Sequence, residues 1–263
     1  MSTSDPRTLA SDPRPSWRRR RLDPDHSLGL RLTLASVAAF LVLVPFTLLA
    51  LLVLASWSPL HRLDAAVTDV LYDWALDHPG WTRLLTVWTD VFAPMPLRLA
   101  ALAVVVWLVR RQARRLALWV ATTMLVGGLL GPLLKLLVGR HRPDLLDPVA
   151  RAVGFAFPSG HALNAALAGG VLVLVFLPHA RRRSARIGLW LAASVLTLVT
   201  GFSRVALGVH WTSDVLGGWL LGVAVVAATA AGFTAWREGA GLRPVRVSRE
   251  GVDPESADDH RRD

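Results

Sequence analysis

Long apolar stretches, broken by tight clusters of arginine, constrain this chain more than any other feature. Residues 32–57 read almost without a charge, and similar runs recur at 92–109, 116–138, 161–177, 187–202 and 211–236. Runs of this length and uniformity suit bilayer-spanning helices, because a soluble core would show alternation or a one-sided stripe instead. The whole composition agrees: 53% of residues are hydrophobic and the mean hydropathy is +0.43. The expected fold class is therefore all-α: a polytopic membrane protein of six transmembrane helices, with an amphipathic interfacial helix between the first and the second.

That interfacial helix is read from residues 58–92. Leu63, Val67, Val70, Leu71 and Trp74 recur at helical spacing, with Asp64, Asp69 and Asp73 between them. The second span has the least uniform sequence, since Pro94 and Pro96 shorten its clean apolar part to 99–109. Residues 1–30 and 237–263 are polar and charged and are expected to be disordered tails flanking a 31–236 membrane domain. No internal repeat is visible.

The net charge of +10 does not point to nucleic acid, because the arginines gather beside apolar runs as membrane anchors do. With six spans, Arg18 to Arg21, the cluster Arg110, Arg111, Arg114 and Arg115, then Arg181 to Arg183, Arg186 and Arg237 all fall on one side. The positive-inside rule makes that side the cytoplasm and puts both termini there. Removing the second span would throw the 110–115 and 181–186 clusters outside, so charge supports six spans where hydropathy alone is ambiguous. A multi-pass protein of the cell membrane, in a bacterium the inner membrane, is the expected localisation. The chain has no cysteine, which excludes disulfides, thiolate catalysis and cysteine-ligated metals.

The opposite, extracytoplasmic face collects polar groups from distant parts of the sequence. One segment carries Lys135, the only lysine, then Arg140, His141, Arg142 and Asp144, and later Pro158-Ser159-Gly160-His161. The other carries Ser203, Arg204, His210 and Asp214. Taken singly, each has a plain reading: Lys135 as a snorkelling side chain, Arg140 and Arg142 as interface anchors, Ser159 as a helix N-cap, His210 and Asp214 as an i,i+4 pair. Taken together they make an anion site. Arg142 and Arg204 present planar forks to phosphate oxygens, Lys135 adds a point charge, and Ser159-Gly160 open a helix whose N–H groups favour an anion. Asp214 accepting from one nitrogen of His210 leaves the other free as a nucleophile, and His161 can protonate a leaving oxygen.

The arrangement Lys135-(six residues)-Arg142-Pro143, Pro158-Ser159-Gly160-His161 and Ser203-Arg204-(five residues)-His210-(three residues)-Asp214 resembles the three-part signature of the type 2 phosphatidic acid phosphatase superfamily. All three parts match in order, spacing and residue type. The resemblance implies a six-helix core in which Lys135, Arg142, Ser159, Gly160 and Arg204 bind phosphate. It also implies a phosphohistidine on His210 oriented by Asp214, His161 as acid, and no metal or cofactor. The implied substrate is a lipid phosphomonoester or diphosphate, such as an isoprenoid diphosphate, phosphatidic acid or phosphatidylglycerol phosphate. Two other outcomes fit the same residues: transfer of the phosphate-bearing group to an acceptor other than water, and a phosphate-selective membrane transporter. A transporter would carry its charged groups near the midplane of broken helices rather than at one end. Oligomeric state is not written in the sequence.

Overall fold

The computed structural model describes residues 28–144 and 153–239, and within them every regular element is a helix. In chain order these are α1 (Leu28–Leu54), α2 (Ser58–Asp77), α3 (Pro79–Val91), α4 (Pro94–Arg110), α5 (Arg114–Val138), α6 (Gly160–Phe176), α7 (Arg183–Ala206) and α8 (Thr212–Gly239), with a 3-10 turn at Leu177–His179. The expected tails fall outside the described residues except at their inner edges, where α1 begins at Leu28 and α8 runs on to Gly239. Four helices, α5 to α8, are each long and apolar enough to cross a bilayer. The number rises to six if two bent pairs, α1 with α2 and α3 with α4, each count as one span.

Between the first and second apolar runs stand two helices rather than the one expected. Pro79 supplies the reason. It lacks an N–H and disfavours helical backbone in the residue before it, and His78 accordingly sits at φ −126°, ψ 65°. The same chemistry explains why the second apolar run stays helical despite its prolines. Pro94 and Pro96 occupy the first turn of α4, where N–H groups have no intrahelical partner anyway.

Helix α2 lies at 92° to the Phe40–Leu54 part of α1. Its apolar stripe is split between two surroundings. Val67 and Leu71 pack against Ala162, Val205 and Val215, whereas Leu63 and Val70 are exposed. Asp64, expected on a solvated face with Asp69 and Asp73, is instead buried with Thr68 and Ala75 against the bundle. Helix α3 packs on α7 through Leu85, which joins Ala206, Leu207 and Val209, and through Trp88 Nε1, which donates to Thr200 Oγ1 at 3.0 Å.

Helices α6 and α8 form the centre, with α1 along α8, α7 along α6, α5 against both, and α4 against α5 and α6. Glycines permit the close α6–α8 crossing. A Cβ at Gly218 would stand 2.6 Å from the Ser159 carbonyl oxygen and 2.9 Å from Ala162 Cβ, and one at Gly222 would stand 2.6 Å from Ala166 Cβ. Close packing of the two helices thus rests on Gly218 and Gly222. Consecutive antiparallel helices bring the C-terminal ends of α5 and α7 and the N-terminal ends of α6 and α8 to one end of the bundle. The arginine clusters at the α4–α5 and α6–α7 junctions lie at the other end, where Trp107 stacks on Phe176.

Gly218→Ala is expected to destabilise the protein by about 1–3 kcal/mol through overpacking against backbone. Gly232→Ala, in the same helix with open space around its Cβ, is expected to be neutral or slightly stabilising. Thermal unfolding of the two variants in detergent checks the pair.

Candidate active site

Local chain geometry places each polar group at this end. Helix α5 stops at Gly139, whose φ of +62° is a left-handed cap that glycine adopts without strain, and its N–H returns to the Lys135 carbonyl at 3.0 Å. Helix α7 stops similarly. Gly208, at φ +67°, turns the chain so that the N–H groups of Val209 and His210 both donate to the Arg204 carbonyl, at 3.1 and 3.2 Å. His210 is thus held beside Arg204 by the backbone itself. Asp214 sits in the first turn of α8, where a carboxylate suits the helix dipole, and its Oδ2 accepts the Trp211 N–H at 2.9 Å. The Asp214 carbonyl accepts the Ser159 N–H at 2.9 Å, tying the N-terminus of α6 to that of α8.

His210 is the pivot. It is buried, at 2% exposure, with Nδ1 3.3 Å from Asp214 Oδ2 and Nε2 3.0 Å from Arg142 Nη1. An arginine can only donate, so Nε2 accepts and Nδ1 carries the proton toward Asp214. The free lone pair of the ring therefore faces a guanidinium. Burial is the largest influence on this imidazole and pushes its pKa down to about 4, against the opposing pull of Asp214 and with the help of Arg142 and Lys135. The ring is neutral at physiological pH and available to attack.

The other expected residues surround it. Arg142 also donates to the carbonyls of Gly154 (2.9 Å) and Val209, and Lys135 Nζ donates to those of Phe155 (2.6 Å) and Ala156 (3.3 Å). Arg204 is buried on α7 and donates through Nη1 to Thr89 Oγ1 at 3.0 Å. His161 occupies the first turn of α6, within electrostatic reach of Arg204, His210, Arg142 and Lys135. Two groups of this site, Ser159 Oγ and Arg204 Nε, are buried with no hydrogen-bond partner among the described residues. Ser159 caps the backbone of α6 yet makes no side-chain cap bond, so the plain N-cap reading does not account for its hydroxyl. A Cβ added at Gly160 would meet nothing within 4 Å. Three cations, an unpartnered hydroxyl and an open helix N-terminus make a cradle for a tetrahedral oxyanion beside a neutral imidazole.

Lys135, Arg142, Ser159, Gly160, His161, Arg204, His210 and Asp214 thus all come to one end of the bundle. Among the described residues, no group of three or more His, Asp or Glu side chains stands close enough to hold a metal ion. Three further groups take part there: Asp64 and Arg98 were not expected, and Arg140 was expected only as an interface anchor. Arg140 and Asp64 form an ion-paired cluster with Asp214 and Ser213. Arg98 of α4 donates through Nε to Asn164 Oδ1 at 3.1 Å, while the Asn164 amide donates to the Gly160 carbonyl at 2.8 Å. A charge inside the second apolar run was the signal for Arg98; Asp64 gave none that set it apart from Asp69 and Asp73.

Residues 116–238 match the PAP2 superfamily, a stretch that holds all eight site residues. This part of the chain belongs to that superfamily. Over 96 residues the chain is 40% identical to phosphatidylglycerophosphatase B of Bacillus subtilis, covering 36% of this chain and 47% of the relative. Over 122 residues it is 29% identical to an undecaprenyl-diphosphatase of Sulfolobus acidocaldarius, covering 44% and 54%. The chain thus spans about half the length of these curated relatives. The fold is similar to the crystal structure of a transmembrane PAP2 type phosphatidylglycerolphosphate phosphatase from Bacillus subtilis. The TM-score is 0.63 at 26% identity, over 74% of this chain and 96% of that one.

The lowered pKa fixes a sign that can be read directly. The unfolded chain binds a proton at His210 below the ordinary histidine value of about 6.5, and the folded protein does not until about pH 4. The stability that this difference contributes is full above pH 6.5 and is lost as pH falls toward 4. In NMR of protein labelled with [15N]histidine, one ring is expected to keep its neutral signals to about pH 5, and His210→Gln should remove those signals.

Proposed function

We propose that this protein is a membrane-embedded phosphatase that hydrolyses a lipid phosphomonoester or diphosphate through a phosphohistidine on His210. The observation that carries the reading is the buried imidazole held between Asp214 and Arg142, with its lone pair directed at the cationic cradle. His210 Nε2 attacks phosphorus in line, forming the N–P bond as the bond to the leaving oxygen breaks. Lys135, Arg142, Arg204, the Ser159 hydroxyl and the N–H groups opening α6 stabilise the charge on the equatorial oxygens. His161 gives its proton to the leaving oxygen and then takes one from the water that hydrolyses the phosphohistidine. Asp214 holds the Nδ1–H and stabilises the ring as it becomes positive.

Lipid substrates are favoured by the position of the site at the end of an apolar bundle, where a headgroup can arrive laterally. The names of the two relatives point the same way, one to a phosphatidylglycerol phosphate and one to an isoprenoid diphosphate. In the six-span reading α1 crosses first, α2 and α3 lie at the interface, and α4 makes the second crossing. The arginine-rich end is then cytoplasmic, together with both termini, and the site faces the extracytoplasmic side.

Purified protein in detergent with EDTA is expected to release phosphate from one or more of phosphatidic acid, phosphatidylglycerol phosphate and undecaprenyl diphosphate. His210→Ala should cut that rate by about 10³-fold or more. Near wild-type turnover in the variant would sink the histidine mechanism. Loss of turnover in EDTA, restored by a divalent cation, would show that the chemistry needs a metal.

A further inference from the structure

Beside the proposed site stands a buried charged cluster of which the mechanism above uses only Asp214. Arg140 lies between two carboxylates, with Nη1 2.7 Å from Asp214 Oδ1 and Nη2 2.7 Å from Asp64 Oδ2. Nη1 also donates to Ser213 Oγ at 2.6 Å. Asp64 in turn accepts the Ser213 N–H on Oδ1 at 2.9 Å and the Ser213 hydroxyl on Oδ2. The Arg140 guanidinium rests over the Trp211 ring, 5.5 Å from its centroid. Asp64 is 1% exposed and Asp214 fully buried. Burying three charges costs several kcal/mol per ion before they are paired, so a helix serving only as a membrane anchor would gain nothing from placing Asp64 here.

The two oxygens of Asp214 divide the work. Oδ2 meets His210 Nδ1 and the Trp211 N–H, while Oδ1 meets Arg140. The rotamer that serves His210 is therefore fixed from the opposite side by Arg140, and Arg140 is fixed by α2. We propose that Arg140 and Asp64 are positioning residues for the reaction: Arg140 holds Asp214 against His210 and offsets part of its negative charge, and Asp64 offsets Arg140. The inference rests on His210 being the nucleophile, and it makes α2, outside the matched family region, part of the active site.

The charged groups that act on His210 are Asp214 from α8, Arg142 from the segment after α5 and Lys135 from α5; His161 of α6 is coupled to it and in turn feels Arg204 of α7. Arg140 and Asp64 act on it through Asp214. Removing a positive charge next to Asp214 strengthens the pull of that carboxylate on a proton at His210, and removing the negative charge of Asp64 weakens it. Opposite shifts follow from two changes that a purely structural role would treat alike.

The test is the acid limb of kcat/KM, which reports the free enzyme, measured on the full chain in detergent with dioleoylphosphatidic acid. Because every variant sees the same substrate, its own ionisation cancels in the comparison. Arg140→Gln is expected to move the limb up by roughly half to one pH unit and to lower kcat by about tenfold or more, with a smaller change in KM. Asp64→Asn should move it down. The double variant should return it toward the wild-type position, and Arg140→Lys, which keeps the charge, should leave it in place with a reduced kcat. Limbs that stay fixed in both single variants, or that move in the same direction, overturn the proposal. If Arg140→Gln does not fold, Asp64→Asn and Arg140→Lys still decide. Absence of turnover by the wild type tells against the phosphatase reading alone. The [15N]histidine titration of His210 in the same variants then carries the test and must show the same signs.

Discussion

The carboxylate and backbone of Asp214 join parts of the chain that are remote in sequence. One oxygen meets His210 and the Trp211 N–H, the other meets Arg140, and the main-chain carbonyl takes the Ser159 N–H. Through these bonds the start of α8 is fixed to the start of α6, to the turn after α7, to the segment after α5 and, by way of Arg140, to α2. Each partner sits at a helix end, where unpaired backbone groups and helix dipoles are available. The position of Asp214 in the first turn of α8 makes the junction electrostatically self-consistent: an anion at a positive helix end, surrounded by cations that also face the proposed phosphate cradle.

A site of this kind needs its cations close together without a carboxylate bonded directly to them, and among the described residues Lys135 and Arg142 meet this with local carbonyls. Lys135 and Arg142 donate to the carbonyls of residues 153–156, just before Ser159, and Arg142 also meets His210. These are neutral acceptors, weaker for a cation than a phosphate oxygen. Exchanging them for a substrate oxyanion is downhill, whereas permanent carboxylate partners would have to be displaced. Arg140, which does hold carboxylates on both sides, is by that argument unsuited to binding phosphate and suited to bracing.

Much of this was legible in the sequence because the constraint is local. The spacing from Ser203 to Asp214 encodes a helix end, a glycine turn and a helix start, and His210 and Asp214 meet as that spacing implies. Clusters of arginine marked the opposite end of the bundle, and apolar runs marked the helices. What escaped was non-local. Asp64 lies 149 residues from Ser213, its backbone donor, and on sequence it is one of three acids at helical spacing on a helix with apolar neighbours. Only packing separates the acid that faces Arg140 from Asp69 and Asp73, which face outward. Arg140 was hidden differently, by standing two residues from Arg142 in a basic segment where any arginine passes for an interface anchor. The break at His78 falls after Trp74, where the periodic apolar residues end, so the amphipathic pattern does not mark it.

Helix α2 then has a meaning that neither its composition nor the family match supplies. It presents Leu63 and Val70 outward and Val67 and Leu71 to the bundle, so apolar residues line both faces. A helix at the water–lipid boundary needs one such face; the second is needed only if the helix must also be held in register on the protein. The bundle-facing side carries Asp64 into the Arg140 cluster, and rotation about the helix axis would withdraw that carboxylate from its partners. The outward apolar residues resist the same rotation, since turning them toward water exposes about 1.5–3 kcal/mol of burial per large side chain. In the proposed membrane arrangement, contact with lipid and alignment of the carboxylate that serves His210 are therefore coupled through one rigid element. The site would be best ordered where the proposed lipid substrate is found.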